Sequence, residues 1–331
     1  MTHKVSIRMV AYNYDHLAPL ACGDVAPEGI DLDLDRTSPM VQFLVGSAFE
    51  AGEMSFGQYL IRLSQGERAF VGLPVFVNRE FCHRCFFVPR HSPLHSLHDL
   101  EGRRVGTNAW PDTGNTWSRA TLRDEGVRLD RIRWWVGPYN EPAYDSFGNR
   151  PRVALPPNVE RLAAGRTLLD MLLAGELDAL MYPVPPPGFY AADSPLVRLL
   201  PDYRRTERAW AQRAGFCPGH HIVALRRDLF EREPWVAPSL YHALEQSRQK
   251  WQEARWDLSD TSPWLLPDLE DAAGLLGRDW RPYGVEPNRR MIQTLCDEEL
   301  AQGLISEPLD PAALFADFER AMQEAGPAKE L

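Results

Sequence analysis

The sequence has 331 residues, which is long for one compact core and favours two lobes. Apolar residues make up 44% and charged residues 25% of the chain, a composition typical of an ordered globular protein. The net charge of -10 argues against nucleic acid or an anionic membrane as a partner, because both require clustered Lys and Arg. An anionic small molecule is compatible with this charge, since a few arginines in a cleft act locally.

The chain lacks any run that approaches the roughly 20 apolar residues of a membrane-spanning helix. Residues 1–17 alternate polar and apolar, which predicts a strand rather than a signal peptide, and we expect a cytoplasmic protein. Five cysteines, an odd number, predict free thiols in a reducing compartment rather than a disulfide framework.

Strands and helices are predicted to alternate along the chain. The predicted strands are KVSIRMVAY, AFVGLPVFV, FCHRCFFV, GRRVGT, RIRWWVG, LDALMYP and HHIVALRR. The predicted helices are PMVQFLVGSAFEAG, TWSRATLRDEGV, TLLDMLLAG, the segment after Pro238 and the segment that starts at Asp310, while EMSFGQYLI is a further buried element. Thr167 and Asp170 predict a start resembling a capping box for the helix TLLDMLLAG.

This alternation predicts an α/β protein with parallel sheets and helices on both faces. Residues 99–218 have their own strands and helices and lie between the apolar strands FCHRCFFV and HHIVALRR. We therefore expect a discontinuous first lobe, 1–98 plus 219–331, and a second lobe, 99–218. A ligand cleft is expected between the two lobes, with the two crossing segments as its hinge.

The stretch GRRVGTNAWPDTGNTW predicts a strand, a turn and a helix start. It matches neither the phosphate-loop motif nor the dinucleotide fingerprint, because the required Lys and third Gly are missing. The start of the helix, at Thr113, Asn115 and Thr116, has amide groups suited to a carboxylate. Thr113 or Asn115 capping its own helix is the alternative. Trp110, on the turn, is a candidate flat wall for an aromatic ligand.

A second candidate stretch is NREFCHRCFF, residues 78–87. As a strand it would place His83 among aromatic side chains, where the imidazole could move a proton while Arg79 or Arg84 pairs with an anion. A partly buried His83 bonded to the backbone is the alternative. The Cys-x-x-Cys of this stretch lacks the second ligand pair of a structural zinc site, so we expect no metal here.

Two further stretches contain polar candidates. His220 and His221 open a strand, so alternation sends them to opposite faces and at most one reaches a ligand. In EMSFGQYL, Ser55 and Tyr59 could bond a ligand, and Glu53 could be a base or a helix-end residue.

These segments, in their order, resemble the 4,5-dihydroxyphthalate decarboxylase family of the type II periplasmic-binding-protein-like superfamily. The similarity covers nearly the whole chain. It includes CGDVAPEGIDL, FEAGEMSFGQYL, PVFVNREFCH, CPGHHIVALRRD and RPYGVEPNRR.

The resemblance implies a two-lobed type II periplasmic-binding-protein-like fold and decarboxylation of a dihydroxylated aromatic diacid in aromatic compound degradation. The positions that match the family's pattern are Glu53, Ser55, Tyr59, Arg79, His83, Thr113, Trp117, His221, Tyr283 and Asn288. Cys82, Arg84, His220 and the TNAWPD turn depart from that pattern, which leaves the exact substrate open.

An aryl carboxylate loses CO2 when an ionised ring hydroxyl lets the carboxyl-bearing carbon accept a proton. His83 or His221 fits the acid, and Glu53 is a further catalytic candidate. Arg79, Arg84 and the start of the helix at 113–116 fit the carboxylate anchor. The reaction requires no organic cofactor. Participation of a divalent metal at the ring hydroxyls and assembly into a homo-oligomer are both left open by the sequence. The alternative function is a solute-binding protein or a cytoplasmic sensor for an aromatic or carboxylate ligand.

Overall fold

The computed structural model describes residues 4–37, 43, 44, 46, 48–141 and 151–326. The chain divides into two compact units. Unit 1 comprises Met1–Arg79, Gly215–Cys296 and Leu309–Leu331, and unit 2 comprises Glu80–Ala214 and Asp297–Pro308. Residues 80–98 and 297–308, expected in the first lobe, are part of unit 2, and residues 215–218, expected in the second lobe, are part of unit 1.

Eleven strands occur in the described residues. They are β1 (Val5–Val10), β2 (Ile30–Asp35), β3 (Ala51–Ser55), β4 (Phe70–Arg79), β5 (Phe86–Pro89), β6 (Arg104–Thr107), β7 (Arg133–Val136), β8 (Val159–Arg161), β9 (Ala179–Met181), β10 (Leu196–Arg198) and β11 (Gly219–Arg226).

The helices of the described residues are numbered in the same way. They are α1 (Ala18–Ala21), α2 (Phe56–Ser64), α3 (Thr113–Asp124), α4 (Leu168–Leu173), α5 (Tyr203–Ala214), α6 (Arg227–Arg232), α7 (Val236–Asp257), α8 (Leu265–Leu276), α9 (Arg289–Ala301) and α10 (Ala316–Ala325). Short 3₁₀ helices include His83–Cys85 and Glu286–Asn288.

Unit 1 is built on a five-stranded sheet with the order β2-β1-β3-β11-β4. Strands β1, β2 and β3 are parallel, whereas β11 runs antiparallel to both β3 and β4. Buried residues of α7, among them Leu240, Ala243 and Leu244, pack in the same core as Val223 and Leu225 of β11. The helical period predicted after Pro238 is therefore confirmed.

Unit 2 has a six-stranded sheet with the order β10-β5-β9-β6-β7-β8. Strands β9, β6, β7 and β8 are parallel, and β5 and β10 are antiparallel additions. The predicted N-cap role of Thr167 at the start of α4 is confirmed, because the Thr167 hydroxyl accepts from the Asp170 amide at 3.1 Å.

Three sequence predictions are wrong in detail. Both sheets are mixed rather than parallel, because the strands that return the chain run antiparallel. FCHRCFFV is not one strand, since His83–Cys85 form a 3₁₀ helix before β5. The last helix begins at Ala316, because Asp310 starts a turn in which its carboxylate accepts from the Ala312 amide at 3.0 Å.

Of the helix predicted over 39–52, residues 39–42, 45 and 47 lie outside the described residues, and its last two residues belong to β3. None of the helices in the described part of the chain is long and apolar enough to cross a membrane.

Candidate active site

Two predicted catalytic residues of unit 1, Glu53 and His221, are brought into direct contact. Glu53 lies in β3, and the antiparallel register pairs His221 of β11 with Ser55, two residues further along β3. Glu53 and His221 are therefore diagonal neighbours on one face of the sheet. They lie near the carboxyl end of β3, which is the edge at which open α/β sheets bind ligands.

The Glu53 carboxylate is completely buried and accepts hydrogen bonds from three directions. Its Oε2 accepts from the Tyr12 amide at 2.8 Å, and its Oε1 accepts from the Tyr14 hydroxyl at 2.6 Å. The Nδ1 atom of His221 lies 2.5 Å from the same Oε1. A carboxylate held by three hydrogen-bond donors is fixed in position, and these bonds compensate for its burial.

This contact defines the state of the imidazole. A carboxylate at Nδ1 favours the tautomer that carries a proton there, so Nε2 is the ring nitrogen that exchanges protons with a ligand. The His221 side chain is 19% exposed, whereas Glu53 is not exposed at all. The pair can therefore deliver or accept a proton at Nε2 while Glu53 balances the charge of the imidazolium.

Aromatic and amide groups surround the pair. The Tyr12 ring is 46% exposed and stacks on the His221 ring with centroids 6.5 Å apart. Burial, together with the Glu53 carboxylate, raises the pKa of Tyr14 far above its usual value, so its hydroxyl stays a donor. Asn78 of β4 is the register partner of His221 on the other side and lies next to the Tyr14 hydroxyl.

The other predicted site residues of unit 1 have different surroundings. The Arg79 guanidinium donates to the Pro282 carbonyl and to the Asn288 amide oxygen, both at 2.6 Å. Burial lowers the pKa of Arg79 to about 10, so it remains a cation at neutral pH. Ser55 is buried opposite His221, on the face that carries Glu53.

Tyr59 is used by the fold itself. Its hydroxyl donates to the Leu314 carbonyl at 3.0 Å and accepts from the Gly72 amide at 3.1 Å. Its ring is 4% exposed and stacks on Phe315. The contacts of this side chain stabilise the core of unit 1, and it is too buried to reach a ligand.

His83 and Arg84 belong to unit 2. His83 is 1% exposed, neither ring nitrogen has a hydrogen-bond partner among the described residues, and its ring packs edge-on against Trp210. Burial lowers the pKa of His83 to about 4, so the imidazole is neutral at neutral pH. Arg84 pairs with Glu80, and its amide donates to Glu207 at 3.3 Å. The hydrogen bond from the His83 ring to the backbone, considered as the alternative, is not found in the described residues. The predicted strand, which would place His83 on one face, is not formed because this stretch is a 3₁₀ helix.

The start of α3 is buried in unit 2. Asp112 is its N-cap without a side-chain capping bond, and the Asn115 and Thr116 amides donate to the Asp112 carbonyl at 2.9 Å. The Asn115 side chain donates to Asn108 at 2.8 Å. Thr113 is 1% exposed. Capping by Thr113 or Asn115 is thus not the arrangement found.

Trp110 packs inside unit 2. It is 4% exposed, the Arg119 guanidinium lies 4.0 Å above its ring, and Trp134 meets it edge-on at 5.7 Å. These contacts explain why an aromatic side chain follows the turn, and they make Trp110 a core residue of unit 2.

No group of three or more His, Cys, Asp or Glu within the described ranges is arranged to hold a metal ion. Cys82 and Cys85 are buried thiols that form no disulfide. A cavity of about 560 Å³ lies at the far end of β11 from His221, but its Arg226 and Arg227 pair with Asp228 and Asp317. Glu53 and His221 therefore form the better candidate site.

Sequence reasoning missed Tyr12, Tyr14 and Asn78. The two tyrosines follow β1, whose register places Val10 beside Gly52, so they come to lie over the end of β3. Their position after a parallel strand is the signal that could have identified them.

The two units have the fold of periplasmic solute-binding proteins. A putative sulfonate ABC transporter periplasmic sulfonate-binding protein, SsuA, from Methylobacillus flagellatus KT matches with a TM-score of 0.50 at 12% identity, covering 98% of this chain and 96% of that one. The desulfurization enzyme DSZB matches with a TM-score of 0.49 at 16% identity, covering 98% and 100%. No protein-family model matches the sequence.

The chain belongs to the 4,5-dihydroxyphthalate decarboxylase family. It is 30% identical over 322 residues to the 4,5-dihydroxyphthalate decarboxylase of Comamonas testosteroni, covering 94% of this chain and 96% of the relative. The enzyme of the same name from Pseudomonas putida is 28% identical over 195 residues, 56% of this chain and 74% of the relative. The predicted family and the carboxy-lyase class of enzyme are thereby confirmed.

Proposed function

We propose that this carboxy-lyase removes CO2 from a dihydroxylated benzene dicarboxylate such as 4,5-dihydroxyphthalate. The names of the two related enzymes support this substrate class. The observation that carries the mechanism is the 2.5 Å contact between Glu53 and His221, because it supplies a fixed imidazole with one ring nitrogen left for substrate.

The chemistry requires a proton at the carbon that loses its carboxylate. An ionised hydroxyl para to this carbon supplies electrons, and the ring accepts the proton there. The carbon–carbon bond to the carboxylate then breaks, its electron pair restores the aromatic ring, and CO2 leaves. The net reaction consumes one proton for each CO2, and the product of 4,5-dihydroxyphthalate is 3,4-dihydroxybenzoate.

His221 is the proposed proton donor. Its Nε2–H gives the proton to the ring carbon, Glu53 stabilises the imidazolium before transfer, and water reprotonates the ring afterwards. His83 is the weaker candidate, because burial lowers its pKa to about 4 and its ring packs against Trp210. The exposed Tyr12 ring beside His221 offers an apolar surface on which a benzene ring can stack.

Decarboxylation by this route needs no organic cofactor. Cofactor independence, a divalent metal at the hydroxyls, a homo-oligomeric state and a cytoplasmic location all stay predictions. A chelator experiment addresses the metal: if the proposal without metal is right, activity survives dialysis against EDTA, and restoration by added Mg²⁺ or Mn²⁺ would show the opposite.

The proposed function is tested with purified protein by following CO2 release and 3,4-dihydroxybenzoate formation. We expect turnover of 4,5-dihydroxyphthalate and none of phthalate, which lacks the hydroxyl that activates the ring. His221→Gln should lower kcat at least 100-fold with KM changed less than about threefold, since a general acid contributes roughly 10²–10⁴-fold.

His91→Gln is the matched control, because His91 is exposed in a turn of unit 2. The control should keep wild-type kcat. Tight binding of hydroxylated benzoates and phthalates without turnover of any of them would favour the solute-binding function instead. An unchanged kcat in His221→Gln would remove His221 from the mechanism.

A further inference from the structure

A loop of unit 1 follows the open edge of β4 close to the candidate active site. Strand β4 is an edge strand of its sheet, so one side of it has no strand partner. The Gly284 amide donates to the Pro74 carbonyl at 2.8 Å, and the Arg281 guanidinium donates to the Val77 carbonyl at 2.9 Å. The loop 281–284 thus brings a cation to the carboxyl end of β4.

The pairing of β4 with β11 brings Arg281 near His221. Val77 precedes Asn78, which is the register partner of His221. Neighbouring strands are about 4.8 Å apart, so the Arg281 guanidinium is within about 10 Å of the His221 backbone. This separation can be bridged by two side chains and a benzene ring that carries a carboxylate.

Arg281 and Arg79 form a pair of positive charges that no carboxylate of the described residues neutralises. Arg79 donates to the carbonyl of Pro282, the residue after Arg281. Within the described part of the chain, the hydrogen bonds of both guanidiniums go to neutral oxygens, and neither forms an ion pair with a carboxylate. By contrast, the nearby Arg248 pairs with Glu245 and Asp279.

Both arginines also have bonding capacity left. The Nε atoms of Arg79 and Arg281 are buried and have no hydrogen-bond partner in the described residues. Tyr283 is 4% exposed, and its hydroxyl likewise lacks a partner. Buried donors without acceptors are costly, and a carboxylate is the acceptor that guanidinium groups bind most strongly.

We propose that Arg281, with Arg79 beside it, binds the carboxylate that the reaction leaves on the ring. This assignment rests on the proposed function and names how its substrate class is recognised. An aromatic diacid is anchored by the retained carboxylate at the edge of β4, and the other carboxylate is placed beside His221. Replacement of neutral acceptors by a carboxylate gives both cations a counter-charge that the fold withholds.

The test measures binding of phthalate by isothermal titration calorimetry. Phthalate has both carboxylates but no hydroxyl, so its binding is independent of turnover. Arg281→Gln should weaken phthalate binding at least 10-fold and raise the inhibition constant of 3,4-dihydroxybenzoate similarly, with inhibition by catechol unchanged. Arg278→Gln is the matched control, because Arg278 is exposed three residues away and packs over Trp256.

A purely structural role of Arg281 would give a different pattern. Loss of the bond to Val77 without a ligand role would lower the melting temperature and affect phthalate and catechol alike. If Arg281→Gln does not fold, Arg281→Lys keeps the charge and should lose affinity for phthalate only. Wild-type protein that fails to bind phthalate, or a folded Arg281→Gln that binds it normally, overturns the inference.

The outcomes separate this inference from the proposed function. Phthalate binding that depends on Arg281 without turnover of 4,5-dihydroxyphthalate supports the anchor and contradicts the decarboxylation. Turnover with KM and phthalate affinity independent of Arg281 supports the decarboxylation and contradicts the anchor.

Discussion

Tyr14 and His221 share one oxygen atom of Glu53, and this sharing defines what each residue can do. The Tyr14 hydroxyl and His221 Nδ1 are 2.6 and 2.5 Å from Oε1, on a carboxylate that has no contact with water. Tyr14 therefore acts as a positioning residue, because it holds the carboxylate that holds the imidazole. Its influence on the reaction should appear in kcat rather than in substrate binding.

Tyr14→Phe removes the hydroxyl and leaves the ring stack on His16 in place. We expect kcat to fall roughly 10-fold with KM unchanged, and unfolding to cost about 1 kcal/mol less, since one buried hydrogen bond is lost. Steady-state kinetics and urea denaturation measure the two effects. Tyr190→Phe, on an 80% exposed side chain, is the control. A raised KM with normal kcat would show that Tyr14 contacts the substrate.

The residues of this site could be predicted singly but not as a pair. Glu53 and His221 are 168 positions apart, and only the register of β11 against β3 makes them neighbours. The sequence does indicate that His220 and His221 face opposite ways, and His220 is 2% exposed while His221 is the more accessible. Tyr14 has no motif around it, because its role comes from the path of the chain after β1.

At the scale of elements, the buried Arg119 guanidinium links α3 to the segment 297–308. Arg119 donates to Gln302 at 2.7 Å and to the Trp110 carbonyl at 2.8 Å. Glu299 is completely buried nearby, and burial raises its pKa to about 8 although Arg119 and Thr116 act in the opposite direction. In the pH range in which the folded protein keeps this proton and the unfolded chain releases it, the folded state loses stability as the pH rises.

Stability should therefore fall as the pH rises from about 4.5 to about 8, by at most about 1.4 kcal/mol for each pH unit. Glu299→Gln carries no titrating proton and should remove this slope. Urea denaturation at pH 5.5 and 7.5 measures the difference. Glu298→Gln, which changes the adjacent and partly exposed carboxylate, should keep the slope. An identical slope in Glu299→Gln would assign the pH dependence to other groups.

The start of α4 offers a test of a predicted element. Thr167→Ala removes the acceptor for the Asp170 amide at a site that is 1% exposed. We expect a loss of about 1–2 kcal/mol in the free energy of unfolding with unchanged kcat, because α4 lies in unit 2 and its cap is structural. Thr294→Ala, inside α9, is the control and should be neutral. Equal stability of Thr167→Ala and wild type would contradict the cap.

The elements were predictable wherever local signals agreed with the tertiary structure. The Thr167 cap of α4 and the apolar face of α7 are local patterns, and both are confirmed. The 3₁₀ helix at His83–Cys85 was not predictable, because the apolar residues on either side of it, Phe81 and Phe86, suit a strand equally well. The antiparallel return of β5 and β11 depends on the path of the chain between the units, which no window of sequence contains.

On the scale of the whole molecule, the reactivity of the five cysteines tests which parts of the chain are buried. Cys22 is exposed, Cys217 is partly exposed, and Cys82, Cys85 and Cys296 are buried, and none of the five forms a disulfide. The prediction of free thiols from their odd number agrees with this arrangement. Their reactivity should follow their exposure, since burial keeps a thiol protonated and out of reach of reagents.

Titration with a disulfide reagent should therefore count one thiol that reacts rapidly, a second that reacts slowly, and five in guanidinium chloride. Cys22→Ser should remove the rapid phase and leave the melting temperature unchanged. A reducing agent should likewise leave the melting temperature of the wild type unchanged. Detection of only three thiols after denaturation would reveal a disulfide.

The loop that covers the edge of β4 has a consequence for aggregation. Phe70–Val77 is an almost entirely apolar run in an edge strand, and such an edge, if uncovered, is a template for pairing with another chain. Pro74 interrupts the outer row of donors, and the bonds from Gly284 and Arg281 occupy two of its acceptors. Local opening of 281–284 would thus expose an apolar edge strand while the core is still folded. The loop therefore protects the protein against aggregation.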